Sequence, residues 1–221
     1  MSPADAATPA AARMTLRLLP MGDRALLIEL DSLDAVLALH AALQYGRPSG
    51  VIDLVPAART VLVTVDPAQL SLSEARRWVD RAAEAPPADV AVEQTDPVVI
   101  PVRYDGPDLV SLAAVLDLAP SELVARHQAA TWRVAFSGFA PGFGYLVSAD
   151  WPYDVPRLAN PRTRVPAGSV GLAGEFGGIY PRSSPGGWQL IGTTETVLWD
   201  SDAAPPALLV PGGTVRFEAV P

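Results

Sequence analysis

SGFAPGFGYL, residues 137–146, opens the part of the chain whose reading decides the fold. From residue 136 to residue 188 the chain carries nine of its fifteen aromatic residues, ten of its seventeen glycines and seven of its twenty-three prolines. Glycine and proline both penalise helix interiors. Regular helix is therefore not expected here, and short strands joined by shaped loops, as in a small barrel, fit the composition. Gly138, Gly142 and Gly144 permit backbone shapes closed to other residues, while Phe139, Phe143 and Tyr145 supply flat apolar walls. The same residues also suit a packed barrel corner.

Outward from this stretch, regular elements return. Upstream, Val98–Tyr104 reads as a strand, 108–117 and 121–129 as helices, and Thr131–Phe136 as a strand alternating Trp132, Val134 and Phe136 with polar or small neighbours. Downstream, Thr214–Val220 alternates Val215 and Phe217 with Arg216 and Glu218. Residues 85–97 mix proline with acidic residues and have no period, so a linker is expected there. Before it, strands at 15–19 and 25–30 flank a turn at Met21-Gly22-Asp23. A helix follows from Leu33 to about Gln44, then strands at 50–55 and 60–65. A second helix is announced by Ser71-Leu72-Ser73-Glu74, in which Ser71 and Glu74 can satisfy each other's free amides. The expected organisation is thus a tail over 1–13, a ββαββα, ferredoxin-like α/β domain over 14–84, a linker over 85–97 and a β-barrel over 98–221. The fold class is α+β.

Composition removes whole classes of chemistry. All 16 basic residues are Arg, so no phosphate loop with its Lys and no Schiff base can form. There is no Cys, hence no disulfide, thiol nucleophile or Cys-ligated metal cluster. Two histidines, His40 and His127, cannot make a three-His metal site, and no metal site is expected. A net charge of −8 speaks against nucleic acid or an anionic membrane as partner. No stretch of 18 apolar residues suggests a membrane span, and the N-terminus lacks a basic start and an apolar leader core, so the cytoplasm is the expected compartment.

A second glycine-rich run, NPRTRVPAGSVGLAG at 160–174, is followed by GGIYPRSSPGGWQLIGTT at 177–194. Arg157, Arg162, Arg164 and Arg182 surround it. Residues 132–190 hold five Arg against Asp150, Asp154 and Glu175, a local excess of positive charge in an acidic protein. Arginine forks match carboxylate or phosphate, so a small anionic ligand is indicated; surface pairing with those three acids is the alternative. No nucleophile–base pair declares itself from spacing. His127 stands at helical spacing from Leu123 and Val124, which equally suits a hydrogen-bonded core histidine.

Taken together, Gly138-Phe139, Pro141-Gly142-Phe143, Tyr145-Leu146, Pro161-Arg162, Val165-Pro166-Ala167-Gly168-Ser169-Val170-Gly171, Gly178-Ile179-Tyr180-Pro181 and Ser184-Pro185-Gly186-Gly187-Trp188-Gln189 resemble the KipI family. That family is also described as allophanate hydrolase subunit one and as the B component of bacterial 5-oxoprolinase. The resemblance implies a small α/β domain joined to a cyclophilin-like barrel. It implies a hydrolase component, inactive alone, that opens 5-oxoproline to glutamate with ATP and Mg2+, the nucleotide site being unspecified and no cofactor tightly bound. The implied partners are a protein of the KipA or 5-oxoprolinase C type and an A-type component of the LamB/YcsF kind, the substrate a small anionic amide. By the same resemblance His127 and Arg162 are catalytic candidates. Phe139, Pro141, Gly142, Phe143, Tyr145, Arg157, Gly168, Ser169, Tyr180, Trp188 and Gln189 are substrate-binding candidates. Phe176 and Gly177 stand where the family usually has Gln and Thr, Thr193 where Arg is usual and Gly213 where Asp is common, changes able to alter substrate choice. Two other functions stay open: carboxyl transfer to a urea-like amide, and inhibition of a sensor histidine kinase.

Overall fold

A computed structural model describes residues 15–84 and 96–221. The expected tail over 1–13 and the linker positions 85–95 lie outside the described residues. The chain divides into two compact units, Met1–Ala91 and Val92–Pro221.

The first unit runs β1 (Leu16–Met21), β2 (Ala25–Leu30), α1 (Leu33–Gln44), β3 (Val51–Pro56), β4 (Thr60–Val65) and α2 (Leu72–Glu84). Its antiparallel sheet has the order β1-β2-β4-β3. That is the ferredoxin-like order with the chain opened at another connection: β2-α1-β3 is a βαβ crossover with β4 inserted between its strands. The strands form because β-branched residues alternate, Val61, Val63 and Val65 of β4 being fully buried. Each helix starts at a cap. Ser32 accepts from the Ala35 amide at 3.2 Å. Ser71 accepts from the Glu74 amide at 3.3 Å, and Glu74 accepts in return from the Ser71 amide at 3.0 Å, as the capping-box spacing predicts. Helix α1 buries Val36, Leu39 and Leu43 on the sheet, each worth roughly 1.5–3 kcal/mol of burial.

The second unit begins with β5 (Val98–Val102), α3 (Leu109–Val115), α4 (Pro120–Ala129), β6 (Trp132–Ser137) and β7 (Gly144–Val147). It continues through β8 (Arg162–Val165), β9 (Ser169–Ala173), β10 (Phe176–Ile179), β11 (Ser184–Gly186), β12 (Gln189–Thr193) and β13 (Thr214–Ala219). No helix lies between residues 136 and 188. Seven strands form one sheet in the order β12-β9-β10-β7-β6-β13-β5, with β8 and β11 in a separate ribbon. The two edges nearly meet. The Arg103 amide donates to the Thr193 carbonyl at 2.9 Å, and the Thr193 amide returns the bond at 2.8 Å. Gly192 permits this seam, since a Cβ there would lie 2.6 Å from the Arg103 carbonyl oxygen. The result is the nearly closed small barrel anticipated from composition. Its interior is filled by Ile100, Val102, Trp132, Leu146, Val170, Leu172, Ile179, Ile191 and Phe217.

Among the described residues no helix is long and apolar enough to cross a membrane, and no group of three or more His, Asp and Glu could hold a metal ion.

Candidate functional site

Outside the barrel core, a second cluster buries Phe143, Val165, Ala173, Tyr180, Trp188 and Leu190. Beside it opens a cavity of about 140 Å3 lined by Phe139, Phe143, Tyr145, Arg157, Tyr180, Gly186, Gly187 and Trp188. Its aromatic walls meet edge to face. Phe143 lies 5.0 Å from Tyr145, 5.6 Å from Tyr180 and 5.5 Å from Trp188, at interplanar angles of 63–84°, the arrangement ring quadrupoles favour. Tyr145 is in turn stacked on Phe136 at 4.4 Å. Gly178 sits beneath, where a Cβ would come within 2.9 Å of Phe143 and 3.0 Å of Trp188.

Phe139 stands at the mouth, 56% exposed, its ring edge-on to Phe143 and Tyr180. Its φ of +65° is a left-handed conformation costing a side-chain-bearing residue roughly 1–2 kcal/mol. Strain of this kind is concentrated at ligand sites.

Arg157 supplies the one cationic side chain in the lining, and among the described residues no carboxylate lies within ion-pair distance of it. Burial pushes the Tyr145 and Tyr180 phenols above the usual tyrosine range, with the nearby Arg157 charge opposing the shift in both. Both phenols therefore stay protonated at neutral pH. The pocket thus presents flat apolar walls, two neutral phenols and one unneutralised guanidinium.

Six of the thirteen sequence candidates meet at this pocket: Phe139, Phe143, Tyr145, Arg157, Tyr180 and Trp188. The others go elsewhere. Arg162 is not in the lining; its guanidinium bonds Asp108 at 2.6 Å and the Trp188 carbonyl at 3.4 Å. Pro141 lines a neighbouring groove with Pro181, Arg182 and Trp199. Gly142 packs against Leu198 and Trp199. Gly168 forms the corner that leads into β9 at Ser169; the Gly168 amide donates to the Tyr180 carbonyl and its own carbonyl accepts from the Thr194 amide. Gln189 is not in the lining; it donates to the Pro156 carbonyl at 3.0 Å, beside Arg157.

His127 is fully buried in the barrel core, not in the pocket. Its ring is surrounded by Tyr104, Trp132, Trp151 and Phe217. Nδ1 bonds the Tyr104 hydroxyl at 2.8 Å. Burial lowers its pKa to about 3, so it is neutral at physiological pH. The helical spacing from Leu123, itself buried, suits this placement.

Asp108 was not legible as a site-supporting residue. It precedes α3, where an Asp is expected to cap the helix, yet it makes no side-chain cap bond. One carboxylate oxygen takes Arg162 and the other accepts from the Leu190 amide at 2.7 Å, partners 54 and 82 positions away that no local pattern signals. None of the four departures lines the pocket. Phe176 packs edge-on behind Tyr145 at 5.6 Å. Gly177 faces the Trp132 ring. Thr193 donates to Asp105 at the barrel seam at 2.9 Å, and Gly213 accepts from the Val134 amide.

Comparison with known proteins gives concordant results. Residues 16–209 match the family described as carboxyltransferase domain, subdomain C and D. The chain is 39% identical over 174 residues to the B subunit of 5-oxoprolinase from Escherichia coli O157:H7, covering 76% of this chain and 77% of that one. It is 37% identical over 194 residues to the B subunit of 5-oxoprolinase from Bacillus subtilis, covering 81% of each. In fold it is similar to the Kluyveromyces lactis urea carboxylase, with a TM-score of 0.73 at 19% identity over 97% of this chain and 23% of that chain. The chain belongs to the carboxyltransferase subdomain C and D family, in the company of the bacterial 5-oxoprolinase B subunits.

Proposed function

We propose that this chain is the B-type component of an ATP-dependent 5-oxoprolinase, and that its aromatic pocket receives the substrate. The observation that carries the reading is Arg157, an unpaired guanidinium on an aromatic cavity, in a chain 39% identical to the B component of a 5-oxoprolinase. 5-Oxoproline is a small planar lactam bearing a carboxylate. The walls would hold the ring and exclude water, and Arg157 would take the carboxylate through its fork.

An amide carbonyl is a poor electrophile. Phosphorylation of its oxygen by ATP releases ADP and activates the carbon; one water adds there and the C–N bond breaks, leaving the side-chain carboxyl as an acyl phosphate, and a second water displaces phosphate to give glutamate. The work assigned to this chain is binding and orientation. With His127 enclosed, the pocket lining holds no carboxylate or imidazole to move a proton, so those groups are assigned to partner proteins, of the KipA or C type and the LamB/YcsF type. ATP and Mg2+ are assigned to no residue here.

The test is to assemble the chain with its C-type and LamB/YcsF-type partners and assay glutamate release from 5-oxoproline with and without ATP. ATP-dependent glutamate supports the reading; a stable complex that makes none sinks it. The family description favours one second reading, carboxyl transfer to an amide. Biotin would then ride on another chain, because this sequence has no Lys. Carboxylation of urea by the same complex with a carboxybiotin donor would establish that alternative.

A further inference from the structure

Arg157 lies on no regular element, yet its segment is held at three points. Val155 exchanges two backbone bonds with Gly174, at 2.9 and 2.7 Å, and the Leu158 amide donates to the Gly187 carbonyl at 2.8 Å. Between them, the Pro156 carbonyl accepts from Gln189 Nε2 at 3.0 Å. Of these restraints only the last is made by a side chain.

Gln189 can make it because side chains alternate along a strand. Trp188 and Leu190 turn into the aromatic cluster, which leaves Gln189 pointing the other way, towards the 156–158 segment. The strand that carries it is itself anchored. The Leu190 amide donates to Asp108, the Asp108 amide donates to the Leu190 carbonyl at 3.0 Å, and Arg162 bridges Asp108 to the Trp188 carbonyl. A continuous set of bonds therefore runs from buried Asp108 through the first residues of β12 to the backbone beside Arg157.

We infer that Gln189 is a positioning residue: through the Pro156 carbonyl it sets where the Arg157 guanidinium stands at the pocket, and it does not itself touch the ligand. The inference rests on the pocket reading above for its enzymatic consequence, and on geometry alone for its structural one. Gln189→Ala deletes the donor. Gln189→Glu keeps the shape but replaces the donating amide with a carboxylate that only accepts.

In the enzyme assembled with its partner proteins, both variants raise KM for 5-oxoproline about fivefold to tenfold, the loss expected for one ordering hydrogen bond, with kcat within about twofold. In an Arg157→Ala background Gln189→Ala adds nothing further, because the group it positions is gone. In the full chain alone, amide hydrogen exchange at Leu158 quickens in Gln189→Ala. Unchanged protection of Leu158 overturns the inference. So does an undiminished Gln189→Ala effect on KM in the Arg157→Ala background, which would place Gln189 on the ligand. If exchange quickens while the assembled wild-type enzyme turns over no 5-oxoproline, the functional reading fails and the positioning role stands.

Discussion

Arg162 Nη2 and Asp108 Oδ1 are 2.6 Å apart across 54 residues of sequence, and the pair joins the start of β8 to the residue preceding α3. Side-chain exposures of 27% and 10% place it below the surface. Removing either partner leaves the other desolvated, and such losses typically cost about 3–5 kcal/mol. Because Arg162 keeps some solvent, Arg162→Ala is expected to cost about 2–3 kcal/mol and Asp108→Ala somewhat more, as the Leu190 amide also loses its acceptor. Urea unfolding of both singles and the double variant checks this. The double should be much less destabilised than the sum of the singles, and strict additivity would mean the pair contributes little.

Arg157 should behave in the opposite way. It is exposed and holds no ion-pair partner among the described residues, so Arg157→Ala should leave the unfolding midpoint nearly unchanged. Binding of 5-oxoproline by the assembled enzyme should weaken about tenfold to a hundredfold, the range for a lost charged hydrogen bond. The neutral amide of the same ligand should bind wild type and variant alike. Calorimetric titration of both ligands separates a carboxylate contact from general loss of the site.

The contrast between these two arginines marks how far the sequence could be read. The first unit was legible element by element, because its strands and helices carry their own periods and caps; Ser71 and Glu74 satisfy each other as their spacing requires. The pocket was legible as a concentration of aromatics and arginines, since walls and charge are matters of composition. Which arginine faces the cavity was not. Arg157 and Arg162 are five residues apart with similar neighbours, and only the long-range partner Asp108 distinguishes them. Gly168 and Gly142 show the same limit: a glycine's conformational freedom is visible in a sequence, but what approaches it is not. Here it is Thr194 and Trp199.

His127 should make stability depend on pH. Its folded pKa, about 3, lies below the ordinary histidine value near 6.5, so the unfolded chain binds the extra proton between these limits. Stability from this residue is complete above about pH 6.5 and is lost as pH falls, by up to about 1.4 kcal/mol per unit. The rings facing it carry no carboxylate to offset that charge. His127→Gln, neutral throughout, should be less stable at pH 7 yet show a flatter profile. Urea melts at pH 7, 6, 5 and 4 give both slopes, and equal slopes would contradict the enclosed, neutral imidazole.

Phe139 offers a test in which stability and binding part company. Its left-handed backbone costs roughly 1–2 kcal/mol, and the residue is more than half exposed, so little burial offsets the strain. Asn accepts the left-handed region readily. Phe139→Asn should therefore be at least as stable as wild type, within about 1 kcal/mol, while losing the ring that meets Phe143 and Tyr180 at the cavity mouth. Affinity for 5-oxoproline should fall about fivefold or more, from lost ring contact and admitted water. A variant both stable and weak in binding would mean the strain is retained for the ligand. Clear destabilisation with unchanged affinity would make Phe139 a packing residue that merely borders the pocket.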